Sequence, residues 1–135
     1  MIEITMPVYW TNVKKRKPST THLVGMSFYR NAFRYTQNKM KKDLGNVLVQ
    51  ELKKEAPRPI NGMYTVTYTY HYKSEISDLL NVGALTSKIL NDVLQEEGYV
   101  INDNVKYLKE EHFYVGERNK DNPHMQIQIK EYKGK

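Results

Sequence analysis

Acidic residues stand on both sides of a predicted helix in the second half of the sequence. Glu75 and Asp78 precede that helix, and Asp103 follows it between two asparagines. Mg²⁺ prefers hard oxygen ligands and keeps several of its waters, so a few carboxylates can hold it. A bound divalent ion activates water and stabilises the leaving oxygen when a phosphodiester is hydrolysed. The acidic residues therefore predict a site for Mg²⁺, with Mn²⁺ as an alternative ion, and a phosphodiester hydrolase.

The same residues also have ordinary structural interpretations. Asp78 is a good N-cap for a helix, and the segment Asn102–Asn104 has the composition of a turn. Lys88 and Asp92 are four residues apart on the predicted helix and could form a surface pair of little consequence. For each residue considered alone, the structural interpretation is the better one. The presence of all these residues around one predicted helix favours the metal site.

A metal site that draws on both ends of this helix requires a break in it. A continuous helix over 79–97 would be about 30 Å long, too long for acids at its two ends to share one ion. The hypothesis therefore predicts a loop or break over 81–84, at Gly83, with the functional helix starting near Leu85. It also predicts that Asp103 returns along the helix as the next strand begins.

The first half of the chain carries a strong positive charge. Residues 1–58 hold 12 Lys and Arg against 4 Asp and Glu, a net charge of +8, whereas residues 59–135 hold 9 against 11, a net of −2. This asymmetry indicates a basic surface for a polyanion beside a separate acidic cluster. Charge alone would slightly favour a basic domain without such a partner. Four adjacent cations before a proline predict an exposed, DNA-contacting loop: Lys14, Lys15, Arg16 and Lys17.

A predicted helix over 27–54 adds a second group of cations. Arg30, Arg34 and Lys41 follow one another at steps of four and seven, which places them on one helix face. Tyr35 lies beside this stripe. Interleaved cations and aromatic rings favour contacts with DNA phosphates and bases, whereas an ordinary solvated helix face is the alternative.

Hydrophobic periodicity predicts an α+β domain with a small mixed sheet and two main helices, in the order β-α-β-α-β-β. The whole chain, 1–135, forms one domain by its length. The clearest strand signal is a strict alternation of tyrosine and threonine, whose tyrosine face should pack on a helix. The predicted elements are strands over 2–10, 63–72, 106–114 and 125–132, and helices over 27–54 and 79–97, with a possible break at Gly45 and a C-terminal Gly98.

Composition excludes several classes of protein. The chain has no cysteine, so it has no disulfide scaffold and no zinc site built on thiolates. With 39% hydrophobic and 11% aromatic residues, it is too apolar for a disordered chain. Its longest stretch without a charged residue, 59–72, is too short and too polar to span a membrane, and the N-terminus lacks a secretory signal. A soluble, cytoplasmic protein is expected.

The motifs around the second predicted helix resemble those of the RusA-type endodeoxyribonucleases, the Holliday-junction resolvases of phage origin. That family carries an Asp-x-Asp-Asn element, a Lys and an Asp on the next helix, a Gly at the helix end and an Asp pair after it. The segment that carries the resemblance contains Asp78, Leu79, Leu80 and Asn81, then Lys88, Asp92, Leu94 and Gly98, and then Asn102 and Asp103. The segments 4–7 and 21–32 also resemble the family's opening strand and a phage branch of it.

The sequence departs from that family at three places. Leu80 stands where the family has its second Asp, and Asn102 stands where the family has one Asp of the terminal pair. About one extra helical turn separates Asn81 from Lys88. The family's second carboxylate is therefore missing. Glu75 is the nearest substitute and Asp92 is a second option.

The resemblance implies a Mg²⁺-dependent endonuclease of DNA recombination and repair, encoded by a phage or prophage and acting in the host cytoplasm. Such an enzyme is a homodimer that resolves four-way junctions by paired phosphodiester hydrolysis. By the same resemblance, Asp78 and Asp103 would be metal ligands and Lys88 would lie near the scissile phosphate. Two other hypotheses remain open: a non-catalytic protein that binds junctions or other nucleic acid, and a structural domain whose charge is incidental.

Overall fold

The computed structural model describes residues 1–134, which form six strands and three helices in the order β-β-β-α-α-β-α-β-β. This is an α+β architecture, as the sequence predicts. The elements are β1 (Ile2–Pro7), β2 (Tyr9–Asn12), β3 (Thr20–Leu23), α1 (Met26–Asn31), α2 (Arg34–Glu55), β4 (Tyr64–His71), α3 (Leu79–Glu96), β5 (Leu108–Val115) and β6 (His124–Glu131).

Four of the strands form one mixed sheet in the order β1-β6-β4-β5. Strand β4 runs parallel to β5, and the other neighbours are antiparallel. The alternation in β4 places Tyr64, Val66, Tyr68 and Tyr70 in the core, where they contribute large apolar areas. The prediction that the tyrosine face is buried is therefore confirmed.

The two long helices cover the core side of this sheet. Helix α2 buries one residue per turn, at Met40, Leu44, Leu48 and Leu52. Helix α3 is more apolar and is buried along most of its length. Its end is confirmed near Gly98, which takes a positive φ of 76° that favours glycine. Within residues 1–134, every helix is too short or too polar to traverse a bilayer.

The N-terminal part of the chain differs from the expected single strand. The predicted strand over 2–10 is divided at Val8 into β1, which joins the main sheet, and β2, which pairs with β3 in a separate two-stranded ribbon. The carbonyl of Val8 accepts a hydrogen bond from the amide of Val24 (2.7 Å), which closes the base of this ribbon. Strand β3 has only four residues, too few for a period to be visible in the sequence.

The predicted helix over 27–54 is two helices. Ala32 and Phe33 both have extended backbone angles and separate α1 from α2. The N-cap of α1 is Gly25, two residues before the expected helix start at Ser27. Gly45 lies inside α2 without interrupting it. The break is therefore at Ala32–Phe33 because of local backbone conformation and not at the glycine.

The predicted break over 81–84 is wrong, because α3 runs without interruption from Leu79 to Glu96. Gly83 serves close packing. A Cβ atom at this position would lie 2.6 Å from Cδ1 of Phe113 on β5. The Phe113 ring is itself stacked on Tyr68, with ring centroids 4.8 Å apart, so it has little freedom to move aside.

Replacing Gly83 with alanine should therefore destabilise the protein, although alanine favours helix. We expect a loss of about 1–3 kcal/mol in the free energy of unfolding, because the added methyl group overpacks the interface between α3 and β5. Gly45→Ala is the matched control. Its Cβ would meet Val93 at an ordinary 3.5 Å, so this variant should gain about 0.5–1 kcal/mol from helix propensity. Urea denaturation measures both, and a neutral Gly83→Ala would contradict the packing role.

Candidate functional site

Asp78 is the N-cap residue of α3. Its Oδ1 accepts hydrogen bonds from the backbone amides of Leu80 (2.9 Å) and Asn81 (3.4 Å). These bonds satisfy two of the amides that the first turn of a helix leaves without a partner. The structural interpretation of Asp78 thus accounts for its position.

Asp103 lies toward the other end of α3. The carbonyl of Asn104 accepts the amide of Tyr107 (3.0 Å), and the carbonyl of Tyr107 accepts the amide of Tyr64 (2.8 Å), which places Asp103 near the start of β4. Burial raises the pKa of Tyr64, and the negative charge of the nearby Asp103 raises it further. The hydroxyl of Tyr64 donates a hydrogen bond to Asn91 (2.6 Å). Asn91 follows Asp78 by 13 residues on the continuous helix, about 20 Å along its axis. Asp78 and Asp103 therefore lie too far apart to bind one ion.

The remaining predicted site residues are also dispersed. Glu75 is exposed at the rim of a small pocket before α3, and Asp92 faces α2, where it pairs with Lys41 (3.7 Å). Lys88 is exposed on α3. Among residues 1–134, no three side chains of His, Asp or Glu are grouped so that they could hold a metal ion. The residues that the resemblance names thus do not fit the Mg²⁺ site that it implies.

A polar cluster that the sequence analysis missed joins β5 to α3. The carboxylate of Glu111 accepts hydrogen bonds from the hydroxyl of Tyr68 (2.5 Å) and from the hydroxyl of Ser87 (2.7 and 2.9 Å to its two oxygens). The amide nitrogen of Asn91 donates to the carbonyl of Ser87 (2.9 Å) and lies 3.5 Å from Glu111. Tyr64, which donates to Asn91, completes this Glu111 network.

The tyrosines of the network are held as neutral donors. Burial raises the pKa of Tyr68 far above its ordinary value, and the adjacent carboxylate of Glu111 raises it further. Burial is also the main cause of the raised pKa of Tyr64. Both hydroxyls therefore keep their protons and donate them in hydrogen bonds. The polar groups of the network find their hydrogen-bond partners within the protein, and these bonds link α3 to the sheet.

A signal for this network was present in the sequence. Residues 111, 113 and 115 share one face of β5, so the period of two places Glu111 on the same side as the half-buried Phe113. Ser87 and Asn91 are four residues apart on α3 and share one helix face. An acidic residue on the core side of a strand, opposite two small polar residues, indicates a buried hydrogen-bonding cluster.

The strongest concentration of positive charge lies on the ribbon β2–β3 and the adjoining start of α2. The ribbon's connecting loop carries the predicted basic run 14–17, all of it exposed. Lys39 of α2 anchors the ribbon by donating hydrogen bonds to the side chain of Asn12 (2.8 Å) and the carbonyl of Val13 (2.6 Å). We call the following cations the hairpin–helix surface: Lys14, Lys15, Arg16, Lys17, Arg30, Arg34, Lys39 and Lys42.

The single basic stripe predicted on one helix is not present in that form. Arg30 belongs to α1 and Arg34 to α2, on the two sides of the break between these helices. Both are exposed. Lys41 is half-buried and contacts Asp92, in a region that Glu96 and Glu97 also line. Lys41 therefore faces an acidic neighbourhood. Arg30 belongs to the short helix α1, which contacts the ribbon through Phe28 stacked on His22 (ring centroids 4.1 Å apart).

Comparison of the sequence with models of known protein families gives no match, and a search among curated proteins gives none either. The resemblance to RusA-type endodeoxyribonucleases therefore depends on the motifs quoted above, and membership of that family stays a prediction.

Proposed function

We propose that the protein binds nucleic acid through the hairpin–helix surface and that branched DNA is its partner. The observation that carries the proposal is the contact between the ribbon loop and the start of α2, which brings Lys14 and Lys15 beside Lys39. The loop cations and Lys39 are more than twenty residues apart in the sequence. The fold brings the ribbon loop and the start of α2 together, and neighbouring cations of this kind suit contacts with successive phosphates.

The chemistry of this surface suits a polyanion. Lys and Arg release the counterions that surround a phosphate backbone, and this release supplies most of the affinity in non-specific binding. Phosphate contacts do not read base sequence, so recognition would depend on the shape of the DNA. The resemblance to junction resolvases adds the four-way junction as the shape to test first.

The proposed function also suggests an oligomeric state and a location for the protein. A homodimer would present two equal surfaces to a junction with approximate two-fold symmetry. We therefore propose a dimer on DNA, in the cytoplasm where phage or bacterial DNA is found. Light scattering of the protein with and without a four-way junction measures the stoichiometry. A single protomer on each saturated junction would contradict the dimer.

The proposal is limited to binding because the predicted metal ligands lie apart: Asp78 caps the start of α3, Asp92 faces α2, and Asp103 lies toward the other end of α3. We expect a four-way junction incubated with the protein and Mg²⁺ or Mn²⁺ to be bound without being nicked. Paired nicks that disappear in Asp103→Asn would instead support the junction-cleaving enzyme that the resemblance implies. Denaturing gels of an end-labelled junction distinguish these outcomes.

Salt dependence tests the binding itself. Fluorescence anisotropy of a labelled junction should show log K falling linearly with log salt concentration, with a slope of about −4 or steeper if at least four phosphates are neutralised. A duplex of the same length should bind with a similar slope and lower affinity. Absence of binding at low salt would overturn the proposed function, and salt-independent binding would exclude the hairpin–helix surface as its cause.

A further inference from the structure

We propose that Phe33 and Tyr35 stack on unpaired bases, so that the hairpin–helix surface takes DNA that carries unpaired nucleotides. This inference rests on the proposed function and specifies its substrate class. Phe33 is 87% exposed and Tyr35 is 78% exposed. Among residues 1–134, Tyr114 at 56% is the third aromatic side chain left exposed. The two most exposed rings thus lie within the most basic part of the molecule.

The exposure of Phe33 is built into the fold. Phe33 is the N-cap of α2, and its extended backbone angles turn the chain outward between two helices. The side chain of Gln37 donates a hydrogen bond to the carbonyl of Tyr29 (2.6 Å), which ties the end of α1 to the start of α2. The carbonyl of Phe33 accepts the amide of Gln37 (2.9 Å). This corner is therefore fixed, and the ring is presented to solvent on a rigid support.

Tyr35 lies between two basic grooves. The first, of about 520 Å³, separates the base of the ribbon loop from the start of α2. The second, of about 410 Å³, continues along α2 past Lys39 and Lys42. Asp43 also lines the second groove, and its carboxylate accepts a hydrogen bond from the indole nitrogen of Trp10 (2.9 Å). Tyr35 therefore lies between Lys14 and Lys15 in the first groove and Lys42 in the second, whose ammonium groups can hold a phosphate backbone.

Aromatic rings beside a cationic groove are the combination that binds single strands. A base in a duplex is already stacked on both faces, whereas an unpaired base can stack on a protein ring without loss of pairing. Cations alone would bind duplex and single strand alike through phosphates. The two rings thus add affinity only where bases are free, as they are at branch points, gaps and ends.

The experiment compares a single strand of about 12 nucleotides, within the usual site size of such surfaces, with a duplex of equal length. Phe33→Ala and Tyr35→Ala should each weaken single-strand binding about tenfold and change duplex binding less than twofold. Tyr35→Phe keeps the ring and should bind like the unmodified protein. Tyr114→Ala is the matched control, because it removes an exposed ring from strand β5, outside this surface.

A spectroscopic variant reports stacking directly. Trp10, the only tryptophan, is 4% exposed, so a second indole introduced by Phe33→Trp would supply most of the solvent-exposed signal. Its fluorescence should be quenched by the single strand and not by the duplex. Equal losses on both probes, or no loss with either alanine variant, would overturn the stacking role and leave the proposed function intact. Failure of the unmodified protein to bind either probe would overturn both.

Discussion

Replacing Lys14, Lys15, Arg16 and Lys17 together with alanine should weaken junction binding by about a hundredfold to a thousandfold at moderate salt. The reason is that each cation that neutralises a phosphate contributes about 0.9 to the slope of log K against log salt, so the slope should become less steep by about 3 to 4. All four side chains are exposed in the ribbon loop, so their replacement should leave the fold intact. Anisotropy titrations over a range of salt concentrations measure both the affinity and the slope.

A second quadruple variant controls for the loss of net charge. Lys53, Arg58, Lys130 and Lys133 are exposed, and the last three line one groove formed with the start of β1, far from the start of α2. Replacing them with alanine also lowers the formal net charge of +6 by four. Charges beyond about 10 Å are largely screened at 0.1 M salt, so this variant should lose only a few-fold in affinity. Equal losses in the two variants would show that binding depends on total charge and not on the hairpin–helix surface.

The elements that the sequence predicted well are those with a long regular period. The strand β4 alternates over eight residues, and α3 repeats its apolar residues over five turns. In both elements the buried face in the structure is the apolar face that the sequence period predicts. The strand β3 and the break at Ala32–Phe33 involve four and two residues, over which no period can be recognised.

The candidate site was harder to predict because its geometry depends on contacts between distant elements. The role of Gly83 depends on the ring of Phe113, thirty residues away, which packs so closely that only a glycine fits in the unbroken helix. A straight helix separates Asp78 from Asp103. The basic loop was visible as a run of cations, but its alignment with α2 depends on the hydrogen bonds of Lys39 to the ribbon.

The roles of the acidic residues also depend on contacts between elements that are distant in the sequence. Most of the acids predicted as metal ligands flank α3 in the sequence, and of these Glu75 is exposed and Asp78 caps the helix. Glu111, whose oxygens have the most internal partners, stands in an unremarkable run of charged residues on β5. Its role comes from the face of the strand on which it lies, because only that face meets α3.

The removal of this carboxylate should produce a large loss of stability. We expect Glu111→Ala to lower the free energy of unfolding by about 3 kcal/mol, because it leaves the donors of Tyr68 and Ser87 without an acceptor, and a buried unsatisfied donor costs about 1–3 kcal/mol. Tyr68 is fully buried and cannot turn to water. Glu111→Gln keeps one carbonyl acceptor and should lose about half as much. Urea denaturation followed by the fluorescence of Trp10 measures both variants.

Glu110→Ala is the matched control for this prediction, since it removes an acid from the adjacent position on the opposite face of β5. Glu110 has an exposed contact with His112 (2.8 Å), so its replacement should change stability by less than about 0.5 kcal/mol. DNA binding by folded Glu111→Ala should equal that of the unmodified protein, because no residue of the network belongs to the hairpin–helix surface. A Glu111→Ala variant as stable as Glu110→Ala would show that water replaces the carboxylate, and the network would then not be what fastens α3 to the sheet.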